Sequence, residues 1–267
     1  MLTRETHRIQ SSLAAPFIPE SALNWPAFAL ALHRAFGNLR AQQPEPKMAI
    51  SADLGTADMA RRKLPRDARR VQLIEATIRV LASQGYARST LSDVARAAGL
   101  SHGLVNFHFL SKENLLLETL LYMAEEYRQN WTVALSLAGP DPADQIGALL
   151  GADFNPHICT ADRLSAWCSF WGEAQSRPLY QQRCGANDAA YNTLFEGLCA
   201  QMISHHGYHG NPARIARTLR AAVEGVWLDM MTTPPPYGRS EALATVMTCA
   251  AAFFPRHFDE TGRRTTA

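Results

Sequence analysis

Residues 90–109 read Thr-Leu-Ser-Asp-Val-Ala-Arg-Ala-Ala-Gly-Leu-Ser-His-Gly-Leu-Val-Asn-Phe-His-Phe, and this run leaves the chain few ways to fold. Thr90 predicts the cap of one helix, with Asp93 in capping-box position near the positive end of the helix dipole. Ala95, Gly99 and Val105 follow at offsets 0, 4 and 10. Two helices joined so briefly must cross closely. A small residue at 95 permits the approach, Gly99 supplies a left-handed turn, and Val105 plugs the second helix into the core. Val94, Ala98 and Leu100 fill the remaining apolar positions, and Ser101 predicts the second cap. The arrangement is a helix-turn-helix, whose second helix is expected to enter the major groove of double-stranded DNA. An ordinary helical hairpin that binds nothing accounts for any one of these features, but not for all of them beside a basic flank.

That flank appears when charge is divided along the chain. The whole sequence carries a formal net charge of +2, but residues 61–112 hold 10 basic and 3 acidic side chains. Residues 113–267 hold 11 basic and 16 acidic ones, and residues 1–60 hold five of each. A basic block on an acidic body is the footprint of a nucleic-acid-binding headpiece. Cys159, Cys168, Cys184, Cys199 and Cys249 form no Cys-x-x-Cys pair and are odd in number, so reduced thiols and a cytoplasmic setting are expected. No apolar run approaches a membrane span, and no signal-peptide core is present.

The organisation predicted is all-α. Residues 1–58 are broken by Pro16, Pro19, Pro26, Pro44 and Pro46, with only Ala27–Leu39 able to form a short helix. They read as a disordered arm or, by preference, as the product of a mis-assigned start upstream of Met59. A DNA-binding domain is expected over 59–112 and a ligand-sensing, dimer-forming domain over 113–267. Val71, Ile74, Ile78 and Leu81 form an amphipathic stripe ending at Gly85. A long helix is predicted from Lys112 to about 137, and others near 142–153, 161–175, 178–206, 212–231 and 239–254. No run of alternating β-branched residues argues for a sheet.

Ala68 through Leu117 resembles the headpiece of TetR-type regulators. The resemblance rests on Ala98-Gly99-Leu100-Ser101, Gly103, Phe107-His108-Phe109 and Ser111-Lys112-Glu113. It departs at Asn106, where that family commonly has Tyr, so no phosphate-contacting phenol is carried over. The residue chemistry assigns roles beside it. Ser111 caps a further helix, whose free N–H groups with the Lys112 ammonium make a phosphate site. Thr90, Ser92 and Ser101 place hydroxyls at helix starts. His102, Leu104 and Asn106 are expected on the exposed side of the recognition helix, and Gly103 lets its backbone approach DNA. Asn can bind adenine through two hydrogen bonds, and Leu can touch a thymine methyl. His108 reads equally as a phosphate contact or as a ring holding the corner between helices. Phe107 and Phe109 read as core.

In the body, Trp167, Phe170, Trp171 and Ala174 recur at spacings of three and four. Such a stripe is either plain core or one wall of a pocket. Phe154, Tyr180 and Trp227 could complete an aromatic box, with Glu173, Glu224 or Asp229 as a negative wall suited to a quaternary ammonium. Phe154, Trp167 through Ala174, Pro178-Leu179 and Val223 through Leu228 are similar to the corresponding stretches of BetI-type repressors. That resemblance implies a choline-responsive repressor of glycine betaine synthesis, with Phe154, Trp167, Phe170, Trp171, Glu173 and Trp227 at the ligand. Related regulators sense other amines or apolar compounds. It also implies a homodimer built from the last two helices and reading a palindromic operator. The relevant stripes are Ile215, Leu219, Ala222, Val226 and Met230, then Leu243, Val246, Met247, Ala250 and Phe254; by themselves two adjacent stripes could simply face the chain's own core. No cofactor and no membrane partner are expected. An enzyme would have to use His205, His206 and His209, with Cys199, as a metal site, but they fall in a Gly-rich break where exposed polar residues belong. A headpiece that binds protein instead of DNA would not need the basic excess.

Overall fold

The computed structural model describes residues 65–174 and 178–264, with 174, 178–184, 186 and 187 as backbone only. Residues 1–58, including Ala27–Leu39, lie outside the described residues, as does the Met59 start. From Arg69 onward the chain forms one unit.

The first four helices are α1 (Arg66–Arg88), α2 (Leu91–Ala98), α3 (His102–Phe109) and α4 (Lys112–Leu137). α1 buries Leu73, Ile74, Ile78, Val80 and Leu81. The helix is broken at Gly85 (φ 75°, ψ 173°), where the stripe was expected to end. Thr90 caps α2, its hydroxyl oxygen accepting from Asp93 N–H at 3.1 Å and its hydroxyl donating to Asp93 Oδ2 at 2.6 Å. Gly99 takes the left-handed turn at φ 67° and ψ 32°. There Leu100 N–H reaches back to Ala95 O at 2.9 Å, satisfying a carbonyl that the helix end leaves free. Ser101 caps α3 and Ser111 caps α4, each accepting from the backbone N–H three residues on. Ala95, Val105 and Phe109 are buried, so the close crossing and its plug are present as the spacing requires.

The second half of α4 leads into α5 (Pro142–Ala152), α6 (Ala161–Ala174), α7 (Pro178–His206), α8 (Pro212–Thr232) and α9 (Arg239–Phe253). Asp141 and Asn211 cap α5 and α8, and a proline occupies the first turn of each, where its missing N–H costs nothing. Ile146, Leu149, Leu164, Phe195, Leu198, Met202, Leu219, Val246 and Ala250 build one core. Complete burial of a Leu or Phe there stabilises by roughly 1.5–3 kcal/mol.

The architecture is all-α as expected, with two details that the sequence left open. The chain closes on a small hairpin, β1 (Phe258–Asp259) with β2 (Gly262–Arg263), pairing Phe258 with Arg263 and Asp259 with Gly262. Two-residue strands carry no periodicity that a sequence could reveal. Arg263 pins the hairpin to Asp141 at 3.0 Å and Asp144 at 2.9 Å at the start of α5. Second, Ile215, Leu219 and Val226 of α8, and Val246, Met247, Ala250 and Phe254 of the α9 segment, are buried within the single chain. These stripes serve mainly the chain's own core, while Ala222, Met230 and Leu243 of the same stripes are half-buried. Among the described residues, no helix is long and apolar enough to cross a membrane.

Candidate functional site

α3 presents two faces. Val105, His108 and Phe109 point inward, while Ser101, His102, Gly103 and Asn106 are exposed and Leu104 is partly so. His102 and Asn106 are outward, and Leu104 partly so, as expected of the exposed side of the helix. Phe107 corrects its expectation: it is 66% exposed, not core. Val105 and Phe109, four apart, fix the buried face, and position 107 is turned roughly 200° from Val105 by the helical repeat. Of the two readings of His108, its 8% exposure favours the ring that holds the corner between helices over the phosphate contact. Its carbonyl accepts from Arg70 Nη1 at 2.9 Å, and the Arg70 guanidinium covers the Phe109 ring at 4.7 Å while pairing with Glu118.

Thr90 and Ser92 are exposed at the start of α2. The Thr90 hydroxyl proton is committed to Asp93, whose pKa that bond holds below the usual carboxylate range. Lys112 is half-buried. Its Nζ donates to Ala87 O at 3.0 Å and stands 5.7 Å from the centre of the Tyr86 ring. This ammonium therefore ties the start of α4 to the end of α1 as well as lying beside the free N–H groups of the α4 cap. Gln72 and Arg79, which the sequence did not single out, donate to Ala98 O and Ala97 O and brace the end of α2.

In the body, three of the expected ligand residues come together. Trp167 stacks on Trp171 with ring centres 6.2 Å apart, and Trp171 stacks on Trp227 at 6.4 Å with planes only 8° apart. Trp171 is 38% exposed and Trp227 is 4% exposed, so the series runs from surface to interior. Phe154 is buried in the body core, and Phe170 is buried with its ring edge-on to Tyr86 at 6.1 Å. Glu173 is half-buried on α6. Tyr180 falls where only backbone is described. Glu224 and Asp229, two of the candidates for a negative wall, are engaged by other side chains. Arg220 holds Glu224 at 2.9 Å, and Asp229 accepts from Thr233 at 2.5 Å and Tyr237 at 2.7 Å.

The aromatic series continues through residues that sequence reasoning missed. Trp227 meets Tyr127 edge-on at 6.2 Å, Tyr127 meets Tyr191 at 6.0 Å, and Tyr191 meets Trp131 and Phe195 at 5.6 and 5.8 Å. Spacing offered a signal, since Tyr127 and Trp131 are four apart on α4, as are Tyr191 and Phe195 on α7. Tyr127 donates its hydroxyl to Asp153 Oδ1 at 2.8 Å. Asp153 is 1% exposed, and burial pushes its pKa up to about 7 despite the Tyr127 hydrogen bond and the Arg220 charge.

His206 lies 4.2 Å from the His257 ring, whose Nδ1 shares a 2.8 Å hydrogen bond with Tyr208. Among the described residues, no group of three or more His, Cys, Asp or Glu side chains could hold a metal ion. Cys159, Cys168, Cys199 and Cys249 are free thiols. Burial pushes Cys199 up to about 12, which leaves it unreactive.

The family model for the N-terminal domain of bacterial regulatory proteins of the tetR family matches residues 73–119. The model for the C-terminal domain of BetI-type transcriptional repressors matches residues 142–255. The HTH-type transcriptional regulator BetI of Stenotrophomonas maltophilia is 31% identical over 160 residues, covering 60% of this chain and 80% of that protein. The chain is a BetI-type member of the TetR family. The BetI regulator of Paraburkholderia xenovorans is 29% identical over 180 residues, 67% of this chain and 90% of the relative. Among solved structures, a protein from Saccharomonospora viridis, described as a transcriptional regulator and crystallised in complex with choline, aligns with a TM-score of 0.60. It is 18% identical, covering 73% of this chain and 98% of its own, and that likeness speaks for the fold alone. A BetI-type chain is a DNA-binding transcriptional regulator and no enzyme, and its helix-turn-helix is the segment from α2 to α3.

Proposed function

We propose that this TetR-family chain is a cytoplasmic homodimeric repressor that leaves a palindromic operator when a small organic cation, choline foremost, occupies the aromatic part of its body. Residues 59–112 act as the DNA-binding domain and 113–267 as the sensing and dimer-forming domain. His102, Gly103, Leu104 and Asn106 read bases, while Thr90, Ser92, Ser101 and Lys112 hold phosphates. The outward face of α3 supports the first assignment and the helix starts support the second. Trp167, Trp171 and Trp227 form the wall that receives the ligand.

The observation that carries the ligand assignment is the unbroken series Trp167, Trp171, Trp227 and Tyr127, whose ring faces attract a cation that cannot donate hydrogen bonds. The BetI names of the relatives and the choline in the Saccharomonospora viridis protein point the same way. Pairing of copies is supported by the exposed, mostly small residues Ala221, Gly225 and Leu228 on α8 with Thr245, Thr248 and Ala252 on α9. A two-fold pair of headpieces gains affinity by reading two half-sites.

The test is a mobility-shift assay on the DNA upstream of the chain's own gene, with and without millimolar choline. Retarded DNA that choline sets free is the expected result. Retardation that choline leaves untouched, with no heat of choline binding in calorimetry, would leave the repressor and remove the choline assignment.

A further inference from the structure

Asp153 is a carboxyl group at 1% exposure with no cationic side chain in hydrogen-bond contact among the described residues. Its Oδ1 accepts from Tyr127, and its other oxygen accepts nothing from a described residue. The guanidinium whose charge reaches it, that of Arg220, is engaged by Glu224 at 2.9 Å, Asp188 at 3.2 Å and Asn192 at 2.6 Å. A buried carboxylate without a counter-charge is costly, so it either holds a proton or awaits a cation. Tyr127, whose hydroxyl reaches it, is in ring contact with Tyr191 and Trp227, and aromatic rings grouped in this way suit a cation. A second, independent polar group belongs to Trp227, whose ring meets that of Tyr127. Trp227 Nε1 is buried and finds no acceptor among the described residues. An indole N–H left in that state is expected to serve a ligand oxygen.

We propose that Asp153 is the counter-ion of the sensor: it receives the cationic head of a small organic ammonium against Tyr127, Tyr191 and Trp227, while Trp227 Nε1 donates to a hydroxyl or carbonyl oxygen of the same ligand. The inference rests on the reading of the body as a cation sensor and names the group that makes it one. It replaces Glu173, Glu224 and Asp229 as the source of negative charge. The groups facing Asp153 are Tyr127 from α4, Tyr191 from α7, Arg220 and Glu224 from α8, and Cys159 from the turn after α5. The tyrosines stay protonated well above neutrality because burial raises both. Loss of the Asp153 proton is therefore the event that prepares the site, and a ligand of fixed charge binds the ionised form.

The test is calorimetry on the full chain with three probes: choline, tetramethylammonium, and 3,3-dimethylbutan-1-ol as the uncharged shape of choline. In the unaltered protein, cation affinity should fall below pH 7 by up to about tenfold per pH unit, and binding near pH 6.5 should release a proton into the buffer. The uncharged alcohol should bind at least about tenfold more weakly than choline. Asp153→Asn should lose at least about tenfold in cation affinity and lose the pH dependence, with its melting curve reporting whether it folds. The pH series and the proton release need no variant, so a misfolded Asp153→Asn protein leaves the test intact. Tetramethylammonium binding in this way while choline does not would sustain the Asp153 assignment and remove choline as the inducer. Choline binding that ignores both pH and Asp153→Asn would keep choline and overturn the assignment. Failure of both cations to bind would overturn both.

Discussion

Arg163 of α6 reaches Glu75 of α1 at 3.0 Å, and the same guanidinium grips Glu126 of α4 through two bonds of 2.8 Å. Tyr122 of α4 donates to Glu75 at 3.1 Å, so four side chains from three helices form one polar knot between headpiece and body. Burial raises the pKa of Glu126, and Arg163 opposes that shift.

Arg163→Ala is expected to cost about 3 kcal/mol in denaturant unfolding, because it leaves two carboxyl groups facing each other in a partly desolvated place. Glu126 already has a raised folded-state pKa, and without Arg163 it should rise further. A carboxyl shifted upward favours folding at low pH and loses that contribution as pH rises. The deficit should therefore shrink as the pH is lowered toward about 5. Arg163→Lys, which cannot span both partners with a planar fork, should recover only part of the loss. A deficit independent of pH would mean that the carboxyl groups do not feel each other.

Lys112→Ala is expected to weaken binding to operator and random DNA alike and to lower the slope of log K against log salt by about 1. Because Nζ also holds Ala87 O, the variant should melt slightly earlier as well, by an amount equivalent to less than about 1 kcal/mol. An unchanged salt slope with a lowered melting point would assign Lys112 to the joint between α1 and α4 alone.

Asn106→Ala is expected to cost about 1–3 kcal/mol on the cognate operator and little on random DNA. Asn106 stands on the exposed face of α3 with Val105 locked beneath it, so removing its amide should leave the helix in place. Equal losses on both DNAs, measured by fluorescence anisotropy, would make it a positioning residue that reads nothing.

Asp153 gives the protein a pH dependence opposite to that of a salt-bridged aspartate. Its pKa rises from an ordinary 3.8 to about 7 on folding, so the native state binds the proton more tightly than the unfolded chain. The stability this adds is complete below pH 4, declines through the window from pH 4 to 7, and is gone above it. The full swing is about 4 kcal/mol at most. Asp153→Asn keeps an oxygen for Tyr127 and carries no charge, so without ligand it should melt higher than the parent at pH 8 and nearly level with it at pH 4. A parent whose melting point rises from pH 4 to 7 by more than the variant's would contradict the raised pKa.

The headpiece was readable in the sequence because its determinants are local. Thr90 to Asp93, Ala95 to Gly99 and Ser101 to Leu104 are contacts within one turn, and residue type alone nearly fixes them. Phe107 escaped because an aromatic two residues from Val105 and two from Phe109 reads as core, whereas the helical repeat turns it outward. Asp153 escaped for the converse reason. An aspartate just after a helix reads as a solvated cap, and only the packing of α4, α7 and α8 from distant parts of the chain encloses it. The α8 and α9 stripes were found, but a periodicity states that a face is buried without saying against what.

The chain has five tryptophans, and four of them lie along one aromatic series. Trp171 and Trp227 are nearly parallel and close enough for their ultraviolet transitions to couple. The unlabelled protein therefore carries its own optical gauge. Its intrinsic emission and near-ultraviolet dichroism come mainly from one region, so a molecule that parts or tilts these rings announces itself without a dye. The same property makes the regulator a candidate frame for a sensor read by light alone.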